Sequence, residues 1–437
     1  MRIGIFGTGY VGLVTGLCFA EVGNEVICFD NDVEKLKKLK KGISPIYEES
    51  LDDFLKQNHK SKRIKFTSKE NEIFSCDVLI VAVGTPQSNN GAADLSMVFE
   101  VASSVGKNIT RDTLLLVKST VPVGTCEKIE DIVQKALKKR KVKFNCDVVS
   151  NPEFLTQGRA IRNFMSPDRI IVGCDHERPM DLIKELYSPF AINRDKLLFM
   201  SRRDSEMTKY VANAFLATKV SFMNEIANLS EILGVDVENV RKGIGADSRI
   251  GYAYIYPGCG YGGSCLPKDV AALIYTAKTN DYEPLLLEAV SNRNGLQKKV
   301  IFQKIKKRFK SLKNKTFAIW GVSFKPGTDD LREAPSVELI KSLMAAGASV
   351  RVHDPAALEN AKKIFGRTQL IKYFENQYDS LKGADALVLL TEWKPFRLPN
   401  FSLIKKALKS PVIFDGRNQY DPRRLHKAGF EYFGIGR

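Results

Sequence analysis

Histidine and tryptophan are scarce in this 437-residue sequence, with four and two copies, and its eight cysteines include no CxxC pair. The histidines, His59, His176, His353 and His426, lie far apart in the chain. A zinc site has no ligand cluster to build on, no metal is expected, and a disulfide framework is equally unsupported. Most of the cysteines read as small core residues. Long apolar runs are missing too: none approaches the roughly 20 residues needed to span a bilayer. The opening residues, Met1 to Gly7, carry neither a hydrophobic signal core nor a small-residue cleavage pattern. A soluble, cytoplasmic protein with no membrane partner is the expectation.

Acidic residues are the minority charge, 50 against 67 Lys and Arg, for a net +17. Such an excess can mark nucleic-acid binding. Here the lysines fall in short helical bursts, at Lys35 to Lys41, Lys135 to Lys143 and Lys304 to Lys315, with no nucleic-acid motif beside them. They read as solvated helix faces, and no nucleic-acid partner is expected. The hydrophobic share of 44% and charged share of 27% are those of an ordinary globular chain, long enough for two or three domains.

What is present is an alternation of strands and helices. Ile3 to Phe6 is a short buried strand, a glycine turn leads into a helix from about Tyr10 to Val22, and Glu25 to Asp30 is a second strand. Cys76 to Val83, Thr113 to Lys118 and Asp147 to Ser150 are further strands. They run into Gly84-Thr85-Pro86, Ser119-Thr120-Val121-Pro122 and Asn151-Pro152-Glu153. Interleaving of this kind predicts a parallel, doubly wound sheet with ligands at the carboxyl ends of its strands, where these turns sit. The last third repeats the pattern, with strands at Phe317 to Trp320, Val350 to His353, Ala386 to Leu390 and Val412 to Phe414, and a helix at Pro335 to Ala346. Asp354 ends its second strand much as Asp30 ends the corresponding strand near the N-terminus. Between the two lies an apolar helix capped at Asp204 or Ser205 and unbroken to about Gly234. The expected fold is α/β, two Rossmann-like doubly wound domains joined by a long central helix. Its expected divisions are a nucleotide-binding domain over 1–195, a central helical domain over 196–300 that pairs two copies into a homodimer, and a second nucleotide-binding-like domain over 301–437.

Gly7-Thr8-Gly9-Tyr10-Val11-Gly12 is a GxGxxG that follows a strand, opens a helix and precedes Asp30 at the end of the next strand. The glycines permit a tight turn, close approach of a pyrophosphate and close helix packing, while the helix N-terminus favours phosphate charge. Asp30 can accept hydrogen bonds from an adenosine ribose and would repel a 2′-phosphate. NAD is therefore favoured over NADP, a preference that the nearby Lys35 softens. A glycine turn in a non-binding sheet is the alternative.

Gly258 to Asp269 is the most unusual stretch, with four glycines in six positions that let backbone pass close to a ligand. Pro267 starts an apolar helix, Val270 to Ala277, so Cys265 sits just before a helix N-terminus and close to Lys268. Both features favour a thiolate and make Cys265 a candidate nucleophile. The alternative is a structural cysteine in a flexible turn. Lys209 and Asn213 stand i, i+4 on the central helix, on a stripe that continues through Leu216, Val220 and Met223. Such polar groups are costly there without partners or a ligand, unless the lysine snorkels to water. Phe324 to Glu333 occupies the last domain where the first has its glycine turn, and supplies cations and backbone N–H groups for a second phosphate-bearing ligand. A polar surface loop would be equally permissible. Asp415-Gly416-Arg417 ends another strand of that sheet.

Together these motifs, with Asn151-Pro152-Glu153-Phe154-Leu155 and Arg249-Ile250-Gly251, make the chain resemble the UDP-glucose/GDP-mannose dehydrogenase family over essentially its whole length. The resemblance implies a two-step oxidation of a sugar alcohol to a carboxylate by two NAD⁺, on a UDP-sugar. It implies that Cys265 holds the aldehyde as a thiohemiacetal and then carries a thioester that water hydrolyses. By matching position, Lys209 would stabilise oxyanions with Asn213 hydrogen-bonding nearby, Asp269 and Thr120 would act in proton transfer, and Glu153 would assist base catalysis or hydrolysis. NAD would be bound by Gly7, Gly9, Tyr10, Val11, Gly12, Asp30, Lys35, Thr85, Thr120, Glu153, Lys268 and Arg332. Glu153, Phe154, Leu155, Lys209, Asn213, Arg249, Tyr254, Gly262, Phe324, Lys325 and Arg417 would bind the nucleotide sugar, Arg249 in the partner subunit's site. One departure stands out: where the family commonly has a second acid four residues after Glu153, this chain has Gln157, which cannot take a proton.

The resemblance is nearest to the UDP-glucose branch. GDP-mannose, UDP-N-acetylglucosamine and UDP-N-acetylmannosamine are the rival substrates. A non-catalytic NAD sensor or nucleic-acid binder is the rival of a different class.

Overall fold

The computed structural model describes residues 1–191 and 195–437, in two compact units, Met1–Ala212 and Asn213–Arg437. The first unit holds β1 (Arg2–Phe6), β2 (Glu25–Phe29), β3 (Ile64–Thr67), β4 (Val78–Val81), β5 (Thr113–Val117), β6 (Cys146–Ser150), β7 (Ile170–Gly173) and β8 (Leu197–Met200). They form one sheet in the order β3-β2-β1-β4-β5-β6-β7-β8, parallel except where β7 meets β6. The second unit holds β9 (Thr316–Trp320), β10 (Ser349–His353), β11 (Ile371–Tyr373), β12 (Ala386–Leu389), β13 (Val412–Asp415) and β14 (Glu431–Phe433). Their order, β11-β10-β9-β12-β13-β14, repeats the order of the first six strands of the other sheet.

The strand sequences explain this architecture. Both faces of each sheet are covered, so its strands are continuous apolar runs rather than alternations with polar residues. Ile3, Ile5, Val78, Ile80, Leu114 and Leu116 enter one core of the first unit, while Phe6, Leu79, Val81, Leu115 and Val117 enter the core on the other face. In the second unit Phe317, Ile319, Ala386 and Val388 face one side, and Ala318, Trp320, Leu387 and Leu389 the other. The expectation of two doubly wound domains and a long helix is met, and β3, β7, β8, β11 and β14 are additions. These strands are three or four residues long, and unlike the equally short β4 and β12 none is a fully buried, purely aliphatic run with a turn motif behind it.

The central helix runs from Arg202 to Leu233 and is 32 residues long. It begins earlier than Asp204 or Ser205, the expected caps, because Ser201 takes that role. The Ser201 hydroxyl accepts from the Asp204 N–H at 3.1 Å and donates to the Asp204 carboxylate at 2.7 Å, a Ser-x-x-Asp variant of the capping box. Among the described residues no helix is long and apolar enough to cross a membrane.

The loop after β9 depends on Asp354. Its Oδ2 accepts from the Val322 N–H at 2.7 Å and the Ser323 N–H at 3.1 Å, and its Oδ1 accepts from the Ala356 and Ala357 N–H groups at 2.9 Å. Asp354→Ala strands these buried donors, each at a cost of about 1–3 kcal/mol. A loss of about 3 kcal/mol is expected after partial relaxation. Both tryptophans, Trp320 and Trp393, belong to this unit, so the midpoint of urea unfolding followed by tryptophan fluorescence reads it directly. An unchanged midpoint would show that the loop does not depend on this carboxylate.

Candidate active site

In the first unit β1 ends in the glycine turn. Gly7 has φ +96°, and a Cβ on Gly12 would lie 2.0 Å from the Gly7 carbonyl oxygen, so the first turn of the Tyr10–Glu21 helix packs onto the strand end only if residue 12 is glycine. Nothing lies within 4 Å of a Cβ built on Gly9, the N-cap, and no side chain caps this helix. The turn is thus a cradle with open space over free helix N–H groups, the shape and polarity a pyrophosphate needs.

Asp30, just past the end of β2, does two things. Its Oδ2 accepts from the Thr8 N–H at 2.7 Å, the Thr8 hydroxyl at 2.6 Å and Lys35 Nζ at 3.0 Å, and its Oδ1 accepts from the Asp32 N–H at 2.9 Å. Burial pushes this carboxyl up, but the bonds from Thr8, Asp32 and Lys35 outweigh burial and hold it below the ordinary carboxylate range. It stays charged, it keeps the glycine turn closed, and Oδ1 retains capacity for a ribose hydroxyl. Lys35 is therefore spent in part on Asp30 itself. The residues present fit NAD.

Sequence reading missed the group that ties this helix to the start of the Ala160–Met165 helix. The Tyr10 hydroxyl bonds to the carboxylate of Glu48, which also accepts from the Gly158 N–H at 2.6 Å and the Ala160 N–H at 2.7 Å. Glu48 stands in a loop with no motif, and nothing in the sequence singles it out. The turns after β4 and β5 meet as well: the Thr85 hydroxyl donates to the Thr120 carbonyl at 2.9 Å, and Ser119 donates to the Val83 carbonyl at 2.7 Å. Below them Glu206 accepts from the Gly124 and Cys126 N–H groups at 2.6 and 2.8 Å, capping the Thr125–Arg140 helix with a carboxylate from the central helix.

Lys209 is buried and does not snorkel. Its Nζ donates to the Glu153 carbonyl at 2.5 Å and lies 3.3 Å from the Glu153 carboxylate, a buried ion pair. The other Glu153 oxygen accepts from the Leu155 N–H at 2.5 Å. The Phe154 ring has Lys209 Nζ 5.0 Å and the Arg169 guanidinium 3.8 Å from its centroid.

In the second unit Cys265 is the N-cap of the Leu266–Lys278 helix, and it is the exposed cysteine while the other seven are buried. Its carbonyl accepts from the Asp269 N–H at 2.9 Å. Asp269 is buried and accepts from Asn213 Nδ2 at 2.6 Å and Lys268 Nζ at 2.7 Å. Arg332 is paired with Asp330 at 2.6 Å and interacts electrostatically with the Cys265 thiol. A helix N-terminus and this guanidinium both favour the thiolate.

The glycines before Cys265 have specific reasons. A Cβ on Gly262 would come within 2.3 Å of the Glu333 carbonyl oxygen, and one on Gly263, at φ +87°, within 2.8 Å of the Phe324 ring. Asn294 clasps Tyr261 through both backbone groups, at 2.9 and 3.1 Å. Arg417 donates to the carbonyls of Leu390 at 2.8 Å and of Gly260 and Phe324 at 3.2 Å, so it braces this loop. Lys325 Nζ lies 5.6 Å from the centre of the Phe324 ring. Arg249 and Tyr254 lie on exposed surface, Arg249 paired with Asp247 at 2.6 Å and Tyr254 at φ +62°.

Family models for the UDP-glucose/GDP-mannose dehydrogenase family match the chain in three parts: the NAD binding domain over residues 1–191, the central domain over 203–295 and the UDP binding domain over 318–422. A UDP-glucose 6-dehydrogenase of Pseudomonas aeruginosa is 46% identical over all of this chain and 98% of its own length. UDP-glucose 6-dehydrogenase TuaD of Bacillus subtilis is 42% identical over all of this chain and 93% of its own. Among solved structures, a UDP-glucose dehydrogenase from Pyrobaculum islandicum matches with a TM-score of 0.90 at 33% identity, covering 100% of this chain and 97% of that one. With three consecutive domain models and full-length relatives above 40% identity, the chain belongs to the UDP-glucose/GDP-mannose dehydrogenase family.

Proposed function

We propose that the chain oxidises UDP-glucose at C6 to UDP-glucuronate. The observation that carries this reading is the exposed thiol of Cys265 at a helix N-terminus, next to Arg332 and one helical turn from the buried Asn213–Asp269–Lys268 cluster. The full-length relatives named UDP-glucose 6-dehydrogenase support the substrate. In this reading 1–195 binds NAD, 196–300 forms the central helical domain and 301–437 binds the UDP-sugar.

NAD⁺, when bound by the Gly7–Gly12 turn, Asp30, Lys35, Thr85, Thr120, Glu153, Lys268 and Arg332, accepts one hydride in each of two oxidations. The chain's own groups handle the rest. The Cys265 thiolate adds to the aldehyde carbon, forming a C–S bond and making that carbon sp³ again, so that a second hydride can leave. The resulting thioester is cleaved by water: the C–S bond breaks, water supplies the new C–O bond, and the thiolate departs. Overall, alcohol, two NAD⁺ and water become carboxylate, two NADH and three protons. Lys209 stabilises the oxyanions with Asn213, Asp269 and Thr120 move the alcohol proton, and Glu153 takes the proton from the hydrolytic water. Phe154, Leu155, Tyr254, Gly262, Phe324, Lys325 and Arg417 line the nucleotide-sugar site. The heptad-spaced exposed residues Phe215, Phe222 and Leu229 support a homodimer in which Arg249 serves the partner's site. Buried cysteines without disulfides, such as Cys18 and Cys28, support a cytoplasmic location, and the product suits polysaccharide synthesis.

A structure of a UDP-N-acetylmannosamine-type dehydrogenase from Pyrococcus horikoshii also matches, with a TM-score of 0.87 at 28% identity, covering 100% of this chain and 99% of that one, so a second sugar nucleotide is the rival. NADH absorbance with a panel of UDP- and GDP-sugars is expected to show turnover with UDP-glucose, at two NADH per sugar. Turnover of another sugar nucleotide alone would overturn the choice. Cys265→Ser is expected to keep substrate binding and lose the two-to-one stoichiometry, and two NADH at the wild-type rate would refute the thioester route. Gly12→Ala is expected to weaken NAD⁺ binding, followed by titration calorimetry, by at least about tenfold, or about 1.4 kcal/mol. Wild-type affinity in that variant would move NAD away from this turn.

A further inference from the structure

One buried cation has no part in the chemistry above. Lys118 stands immediately after β5, at the end of the apolar run Leu114-Leu115-Leu116-Val117, and only 4% of its surface is exposed. Its Nζ donates to the Asn151 side-chain oxygen at 3.0 Å and to the Tyr187 hydroxyl oxygen at 3.3 Å. The Tyr187 hydroxyl donates to the same Asn151 oxygen, and Asn151 Nδ2 donates to the Ile171 carbonyl at 2.8 Å. Asn151 opens the turn that carries Glu153. Lys118, Asn151, Glu153 and Tyr187 line one cavity of about 60 Å³, with Asp168 and Arg169 on its wall. That is room for a water molecule or two.

We propose that Lys118 is a positioning residue for the carboxylate-forming step: through Asn151 and Tyr187 it locks the turn that holds Glu153, and its ammonium is a second buried cation acting on that carboxylate. The proposal rests on the reading that Glu153 serves thioester hydrolysis. The hydrogen bonds of Lys118 go to Asn151, which opens this turn, and to Tyr187, which bonds Asn151 in turn. A lysine buried merely as packing would be replaced at no cost by an apolar side chain, because taking its charge out of water is expensive. Here the cost is offset in part by two acceptors, Asn151 and Tyr187, which are themselves bonded to each other and place Asn151.

The charged and titratable groups around it come from every packed element: Glu153 from the turn, Lys209 from the central helix, Tyr187 from the Met180–Tyr187 helix, and Asp168 and Arg169 from the strand entry before β7. Burial, opposed by Glu153 and reinforced by Lys209, pushes the Lys118 ammonium down to about 8. Above that pH the amine still donates to Asn151, but without charge assistance, and its pull on Glu153 is gone. Hydrolysis should therefore fall on the alkaline side while the first hydride transfer does not.

Rapid-quench kinetics with UDP-glucose separate the steps: the first NADH is read optically, and the acyl group on the Cys265 peptide by mass spectrometry. For Lys118→Met, the KM values and the first NADH burst are expected to stay within a few-fold of wild type. Acyl-enzyme should accumulate and hydrolysis slow by about tenfold to a hundredfold, the effect of displacing a working group by about an ångström. Lys118→Arg is expected to restore hydrolysis and abolish its decline above pH 8. Equal slowing of both steps, or wild-type hydrolysis in Lys118→Met, overturns the proposal. If neither variant folds, the wild-type enzyme decides: a hydrolysis rate that is flat from pH 7 to about 9.5 overturns it, and a decline confined to that step supports it. Absence of any acyl-Cys265 in the wild type, with two NADH still formed, would instead sink the thioester reading itself and leave the two failures distinct.

Discussion

A carboxylate at the end of the second strand keeps the first loop of each sheet closed, and the rest of each unit's site is arranged around that closure. A parallel sheet covered on both faces leaves polar chemistry only at its strand ends, and the loop leaving the central strand there exposes backbone donors that need an acceptor. Asp30 satisfies Thr8, and Asp354 satisfies Val322 and Ser323. The two loops then diverge. After Thr8 the chain turns directly into a helix, with Gly9 open above its N-terminus. After Ser323 it makes an excursion through Phe324 to Glu333 before its helix begins at Pro335. One strand order therefore carries two different loop shapes, a bare helix end in the first unit and a longer excursion in the second.

In the second unit the constraint passes from the sheet to the thiol through backbone rather than side chains. The excursion loop presses its Glu333 carbonyl and Phe324 ring onto Gly262 and Gly263, where a Cβ has no room. Arg417, itself held by the Asp415 carboxylate through its backbone N–H at 3.0 Å, bonds to carbonyls on both sides of that contact. Asp415 is fully buried, and burial pushes its carboxyl up even against four hydrogen bonds. A carboxylate in that position is costly unless each bond is kept. The glycine loop is thus clamped from behind, and the helix it feeds starts at a fixed place, with Cys265 as its cap.

The sequence disclosed the parts governed by period and by backbone sterics. Five-residue apolar runs such as Thr113–Val117, the glycine turn, the long helix and the cysteine before Pro267 all stand in the structure as read. Five of the short strands were illegible because three or four residues carry no period, while the equally short β4 and β12 stood out as wholly aliphatic runs. Glu48 and Glu206 were illegible for another reason: each is an ordinary acid in its local context, and its work is to satisfy N–H groups more than 70 residues away in sequence. Lys118 did leave a signal, since a lysine ending a wholly buried strand has few ways to reach water. That signal lies in what the residue lacks rather than in a motif, so pattern matching passes over it.

The charge balance around Glu153 connects that missed lysine to the one anomaly in the chain. Lys209 and Lys118 are both buried, and both act on the single carboxylate of Glu153. Two ammonium groups facing one carboxylate leave an uncompensated positive charge in a medium that screens it poorly. An acid at position 157 of the same loop would add negative charge to that neighbourhood, and this chain has Gln157 instead. The alternative way to relieve the excess is for one cation to surrender its proton readily. Lys209 is ion-paired with Glu153, whereas Lys118 donates to the neutral oxygens of Asn151 and Tyr187. Burial is the main cause of the lowered affinity of Lys118 for its proton, and the Lys209 charge adds to it while Glu153 opposes it. On the proposal above, the loss of that proton sets an alkaline limit on hydrolysis, while the pairing of Lys209 with Glu153 stays intact.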